Sequence, residues 1–330
     1  MIRSSVAVLW VCAGVCGAQH FDYDRTAPLD VQESATHHRA GFTMREISYA
    51  SPRGGRVPAS LVIPAGAGPF PAILFGHWMK PGSPLMNRGE FLEETTLLAR
   101  AGAISILIDA PLVRPGAVED KAPLSGQDGA VTEQQVVDFR RAIDLLLSRD
   151  DVDPKRIAYV GHSFDAKVGA ILSGVEKRIS TFVLMAGSCG DAYYVFQSGA
   201  PGTAEMRKQV GDAKLREYFA RYAWVDPEQY VGHSSPAAVF LQFASQDGPA
   251  SYAQHCEDIF GEPKRMQIYD ASHALNAEAR RDRVLWLVKR LRLKSVDQDE
   301  LAKIPELKNA GARSAANNAR GDASLNHRHP

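Results

Sequence analysis

The sequence has no surplus of either charge: Lys and Arg number 38, Asp and Glu number 38, and the 330 residues carry a formal net charge of zero. Without a basic excess nothing draws a polyanion, and nucleic acid is set aside as a partner. Cysteine is scarce, with four residues, and neither Cys189 nor Cys256 stands at metal-ligand spacing. No metal and no organic cofactor is expected. Internal repeats are absent too. The apolar stretch from Val6 to Val15 is too short for a comfortable membrane span, so no stable membrane insertion is expected once it is removed.

What is present is an ordinary globular composition, 45% hydrophobic and 23% charged, ample for a large core in one catalytic domain. Residues 1–18 combine Arg3, the Val6–Val15 stretch and Cys16-Gly17-Ala18 before Gln19. This is the layout of a signal peptide with cleavage near Ala18, and a secreted or periplasmic protein is expected. The chain turns polar at once from His20 to Asp24, which disfavours a buried N-terminal helix, and neither Cys12 nor Cys16 follows a convincing lipobox. Cleavage leaves Cys189 and Cys256. Export permits a disulfide between them; two separate buried thiols are the equal alternative, because sequence does not show how close their Cα atoms come.

The chain is organised around residues 157–174. Ile157 to Val160 is short, β-branched and aromatic, as a buried strand is, while Val168, Ile171, Leu172 and Val175 recur at helical spacing. A strand that becomes a helix within a few residues bends sharply, and Ser163 stands at the bend with its hydroxyl exposed. That is the arrangement of a nucleophile elbow. The amide of Phe164 then falls at the helix N-terminus, where it can stabilise a developing oxyanion.

Around this centre strands and helices alternate. A hairpin is expected over 42–63, a buried strand over 72–75 ending at Gly76-His77-Trp78-Met79, and a helix over 87–101 with Asn87 as cap. A strand over 103–108 leads to Asp109 and Arg114, which stand where α/β sheets bind ligands; a solvated loop pair is the plainer reading. Thr132-Glu133-Gln134-Gln135 reads as a capping box opening a helix through Ser148. Further strands are expected over 181–185, 239–243 and 265–269, and a closing helix over 276–293. The alternation means a mainly parallel sheet with both faces covered. Residues 189–235 hold eight Tyr, Phe and Trp residues without a strand-like run. Residues 294–330 are polar and Ala/Asn/Arg-rich, as a flexible tail is.

The run Val152-Asp153-Pro154-Lys155-Arg156-Ile157 before Gly161-His162-Ser163 resembles the α/β-hydrolase superfamily, in particular its dienelactone-hydrolase-like and acetyl-xylan-esterase-like serine esterases, over roughly residues 42–293. The resemblance implies an α/β-hydrolase fold, a mostly parallel central sheet with helices on both faces and a small helical lid at about 189–235, preceded by an N-terminal extension at 19–41. It places the triad acid at Asp247 and the base at His273; the chain order Ser163, Asp247, His273 is that of this superfamily. Asp270 is a competing acid ranked below Asp247. The second oxyanion amide falls at Trp78 or Met79. His77, Trp78 and Arg114 are candidates to contact substrate, although a structural hydrogen bond is the favoured role for His77 and plain core an equal one for Trp78.

One position departs from the family pattern G-x-S-x-G: Asp165 replaces the last glycine. Either the elbow is looser or a neighbour compensates, and the carboxylate is expected to face away from the site. The activity implied is a secreted serine carboxylic-ester hydrolase acting through an acyl-enzyme on a small-molecule or polysaccharide-linked ester. The alternatives are a peptidase related to prolyl oligopeptidase and a catalytically inactive hydrolase-fold binding protein.

Overall fold

The computed structural model describes residues 18–120, 122, 124–200 and 202–307. The expected signal peptide, except for Ala18, and the tail beyond residue 307 lie outside the described residues. Nine strands form a single sheet: β1 (Gln32–Arg39), β2 (Phe42–Ala50), β3 (Arg56–Pro64), β4 (Phe70–Gly76), β5 (Ile104–Ile108), β6 (Val152–His162), β7 (Thr181–Met185), β8 (Ala238–Ala244) and β9 (Lys264–Tyr269). Their order is β1-β2-β3-β5-β4-β6-β7-β8-β9. The first three strands and the β3–β5 pairing are antiparallel, and every pairing from β5 through β4 to β9 is parallel. The carboxyl ends of β4, β6, β7, β8 and β9 therefore share one edge, where loops from separate parts of the chain meet.

The helices are α1 (Leu92–Arg100), α2 (Gln127–Leu147), α3 (Phe164–Val175), α4 (Asp191–Gln197), α5 (Thr203–Val210), α6 (Asp212–Arg221), α7 (Ala253–Ile259), α8 (Ala277–Leu291) and α9 (Gln298–Lys303). One core layer joins α2 and α3 to the sheet through Val136, Phe139, Ile143, Val168 and Ile171. On the other face Leu97, Leu98, Val284, Leu287 and Leu301 bring in α1, α8 and α9. The central strands β5, β7 and β8 are buried at every position. That is why they read as continuous apolar runs rather than alternating ones.

Several boundaries differ from the sequence expectation. Helix α2 begins at Gln127, not at Thr132. Gly126 turns at φ 83° to start it, and the Thr132 hydroxyl donates to the Asp128 carbonyl at 2.7 Å inside the helix instead of capping it. The extension over 19–41 contains strand β1, whose polar, exposed residues carry no apolar alternation. It also contains Phe21, fully buried and set edge-on to Tyr230. The flexible-tail expectation is corrected for residues 294–307. Asp297 caps α9, Val296 and Leu301 are buried, and Arg280 donates to the carbonyls of Ile304 and Pro305 at 2.6 and 2.9 Å.

Between β7 and β8 the chain makes the expected helical excursion, α4 to α6 followed by three short 3-10 turns. Its base is tied down covalently. Cys189 and Cys256 form a disulfide with Cα atoms 5.7 Å apart, at a separation of 67 positions in sequence. Closing so long a loop is expected to stabilise the fold by about 2–4 kcal/mol. Urea unfolding of the Cys189→Ser/Cys256→Ser variant is expected to show that loss; reductant should bring the wild type to the variant's value and leave the variant unmoved.

Candidate active site

Ser163 occupies the bend between β6 and α3 with φ 58° and ψ −111°, a left-handed conformation that non-glycine residues rarely adopt. Its amide donates to the Met185 carbonyl at 2.8 Å and its carbonyl accepts from Ala166 and Lys167, so the surrounding backbone holds the strained residue in place. The bend is tight enough that a Cβ on Gly161 would collide with the Asp165 carbonyl, and one on Gly187 with the Ala166 side chain.

His273 lies in the loop after β9 and Asp247 in the loop after β8. His273 Nδ1 is 2.6 Å from Asp247 Oδ2, and its Nε2 is 2.8 Å from Ser163 Oγ. An ionised carboxylate only accepts, so Nδ1 carries the proton, and Nε2 is left to accept from the serine hydroxyl. Asp247 is further held by the Gly248 amide, which donates to its Oδ1 at 3.0 Å. Asp270 is turned elsewhere, accepting from Ser245 and Gln246. Three residues far apart in sequence thus form one line of hydrogen bonds at the carboxyl edge of the sheet.

Two of the proposed amides differ in what they already bind. The Trp78 amide donates to Glu90 Oε2 at 2.7 Å, which corrects its placement as an oxyanion donor. The Met79 and Phe164 amides donate to no group among the described residues. His77 accounts for how the Met79 amide is aimed. Ala110 donates to His77 Nε2 at 2.9 Å, so the proton sits on Nδ1, which donates to the Trp78 carbonyl at 2.7 Å. Burial lowers the His77 pKa and favours this neutral form. In a trans peptide the carbonyl and the following N–H point in opposite directions. Holding the Trp78 carbonyl against buried His77 turns the Met79 N–H the other way.

The substrate-contact assignments are corrected accordingly. The His77 side chain is buried with both nitrogens committed to backbone. Trp78 is 1% exposed, its ring stacked on His162 and His273 at 5.2 and 6.3 Å between centroids. Arg114 donates to the Asp109 carbonyl and pairs with buried Asp138 at 2.7 Å. Asp109 itself pairs with Arg88. These side chains support the site from within.

Asp165 is fully buried. Gln135 donates to both its oxygens at 3.0 and 3.2 Å, and the His77 amide donates to it as well. A Cβ on Gly76 would lie 2.5 Å from the Asp165 Cβ. The glycine missing from the elbow is therefore matched by one at the end of β4, and the carboxyl fills the space between. Burial pushes the Asp165 carboxyl well above the usual range, against the bonds from Gln135 and His77 that lower it.

Two site residues escaped sequence reasoning, Glu90 and His162. His162 Nδ1 lies 2.6 Å from Glu90 Oε1, and His162 Nε2 lies 2.8 Å from the His273 carbonyl. His162 stood inside the Gly-His-Ser motif, but nothing in the sequence joined it to a glutamate 72 positions away. Among the described residues no cluster of three or more His, Cys, Asp or Glu is arranged to hold a metal ion, and no helix is long and apolar enough to cross a membrane.

No family model matches the chain. A thiohydrolase of Arthrinium phaeospermum is 30% identical over 149 residues, 44% of this chain and 45% of that protein, so the match spans less than half of the relative's length. In structure the chain is similar to an acetyl xylan esterase from Paenibacillus sp. R4, with a TM-score of 0.66 and 19% identity over 84% of this chain and 93% of that one. It is similar to acetyl xylan esterase 1 from Thermoanaerobacterium sp. JW/SL YS485, with a TM-score of 0.68 and 15% identity over 83% and 92%. A glucuronoyl esterase from Solibacter usitatus aligns with a TM-score of 0.56 and 15% identity over 80% and 86%. The chain has the α/β-hydrolase fold.

Two outcomes follow from the Asp165 environment. Gly76→Ala is expected to destabilise the protein by at least about 1–3 kcal/mol through overpacking, and the Gly76→Ala/Asp165→Gly double variant to lose less than the sum of the two single losses. Additive losses in urea unfolding would refute the shared space. Because the folded Asp165 binds its proton more tightly than the unfolded chain does, its contribution is complete below the ordinary carboxylate range and is lost as pH rises toward the folded value. Asp165→Asn, which does not ionise, should therefore gain on wild type in unfolding free energy as pH rises above the ordinary carboxylate range, about pH 4. A pH-independent difference would rule out the raised value.

Proposed function

We propose that the protein is a serine carboxylic-ester hydrolase with Ser163 as nucleophile, His273 as general base and Asp247 as the acid that orients it. The observation that carries this reading is the hydrogen-bonded line Asp247–His273–Ser163, at 2.6 and 2.8 Å, ending on a serine at positive φ. His273 Nε2 takes the Oγ proton as the oxygen attacks the acyl carbon, while Asp247 holds Nδ1–H and stabilises the imidazolium. The negative oxygen of the tetrahedral intermediate is received by the Phe164 amide and by the Met79 amide. His273 then returns the proton to the leaving alcohol. Water, deprotonated by His273 in turn, attacks the acyl-enzyme; the acid leaves and Ser163 regains its proton.

The buried position of Asp165 supports an active elbow over the binding-protein alternative, since its carboxyl is bonded to Gln135 rather than aimed at the serine. The names of the structurally similar proteins, acetyl xylan and glucuronoyl esterases, support small-molecule or polysaccharide-linked esters as the substrate class. The thiohydrolase relative brings thioesters into the set of acyl donors to assay. The helical segment from α4 to the 3-10 turns is proposed as a lid, its Tyr194 hydroxyl lying beside Gly248 next to the acid. Export is proposed from the pattern of residues 1–18 and agrees with the disulfide.

Intact mass of the mature protein after treatment with a fluorophosphonate tests the reaction and the export together. A chain beginning at Gln19 with one adduct, absent from Ser163→Ala, is expected. Turnover of short-chain nitrophenyl esters should fall on the order of 10⁴- to 10⁶-fold in that variant. An unlabelled, folded wild type would overturn the hydrolase reading, and a retained leader would overturn the export.

A further inference from the structure

The Glu90–His162 pair has no part in the proton transfers above, yet it touches both halves of the site. Its carboxylate takes the Trp78 amide, one residue before the free Met79 amide, and its imidazole takes the carbonyl of His273 itself. Both side chains are buried, His162 at 0% and Glu90 at 1% exposure. The Trp78, His162 and His273 rings pack against one another as a cluster, with centroids 5.2, 5.3 and 6.3 Å apart.

The proton count is set by the acceptors. A carbonyl only accepts, so His162 Nε2 carries a proton. The 2.6 Å contact between Nδ1 and Glu90 Oε1 holds a second one, written either as imidazolium and carboxylate or as imidazole and carboxylic acid. In both forms the pair is neutral overall and its three hydrogen bonds are made, which is the condition under which such groups tolerate burial. Removing the shared proton breaks one of these bonds whichever nitrogen keeps its hydrogen.

We propose that Glu90 and His162 are positioning residues for the reaction, a neutral buried clamp that holds the backbone of the general base in register with the strand end carrying the oxyanion amide. The proposal rests on the esterase reading above. The clamp acts through the His273 carbonyl, leaving the imidazole free to take the Ser163 proton at Nε2 while Asp247 holds Nδ1–H. It acts through the Trp78 amide on the first of two consecutive peptides, the second of which His77 holds by the Trp78 carbonyl. Errors of about 1 Å in such geometry cost about 10²-fold in rate.

Side-chain shape supplies the test. The amide nitrogen of glutamine overlays imidazole Nε2 and that of asparagine overlays Nδ1. His162→Gln therefore keeps the bond to His273, while His162→Asn keeps only the bond to Glu90. Glu90→Gln can accept from Trp78 and donate to Nδ1 of a neutral His162, so all three bonds survive without a charge; Glu90→Ala loses them. Rates of fluorophosphonate labelling, and kcat and KM for a nitrophenyl ester, would be measured on all four variants together with their thermal midpoints. His162→Asn and Glu90→Ala are expected to lose about 10²-fold in labelling rate and kcat, with KM little changed, while Glu90→Gln and His162→Gln retain most of the rate. Equal rates within either pair at matched thermal midpoints would overturn the proposal.

A second readout does not depend on the reaction. The proton between His273 Nδ1 and Asp247 should give a far-downfield NMR resonance in wild type and His162→Gln, and it should be shifted or lost in His162→Asn. If the wild type resists labelling, the esterase reading fails, and this resonance alone decides whether the clamp positions His273. The same resonance in both His162 variants would overturn the clamp even in an active enzyme.

Discussion

The space shared by Gly76 and Asp165 is the constraint on which the rest of the site depends. A carboxyl group at the first turn of α3 fits because β4 ends in a residue without a side chain. Once there, it accepts from the His77 amide and from Gln135 of α2, so the helix after Ser163, the strand end before Met79 and the neighbouring helix meet at one buried group. A glycine at position 165 would leave those donors without a partner, and each orphaned buried donor costs about 1–3 kcal/mol. The carboxyl in place of an elbow glycine is thus a local exchange of packing for hydrogen bonding.

Around that point the protein buries polar side chains in pairs. Arg114 with Asp138, Arg140 with Glu176 and Arg283 with Glu94 cross between segments that the apolar layers alone would leave free to slide. Isolated, any of these charges would be expensive to remove from water; paired, they contribute geometry more than stability. Arg114 and His77 show the consequence for the site. Both stand at the carboxyl edge where ligands bind in α/β sheets, and both are spent on holding loops rather than substrate.

The helical segment after β7 is bound to the body at several points. The disulfide joins its first residues to α7, His20 and Phe21 pack on Trp224, and Tyr222 lies against Gly126 and Gly129 at the start of α2. The aromatic residues that stood out in the sequence are in large part fastening, as Tyr230 in the core also shows. The N-terminal extension takes part in this fastening through Phe21, whose carbonyl accepts from Arg140.

The sequence by itself determined the alternation of strands and helices, the bend at Ser163 and the order of the serine, acid and histidine. Those features are written in local periodicity and in residues that stand directly after buried strands. It left β1 unread because an exposed edge strand such as Gln32–Arg39 needs no apolar alternation, and it misplaced the start of α2 because Gly126 turns the chain before the apparent capping box. Only the tertiary structure decided which groups touch across the sheet edge: Asp165 with Gly76, Cys189 with Cys256, Glu90 with His162. Hydrogen bonds and close contacts of this kind depend on distance in space, and residues 72 positions apart along a chain carry no mark of it.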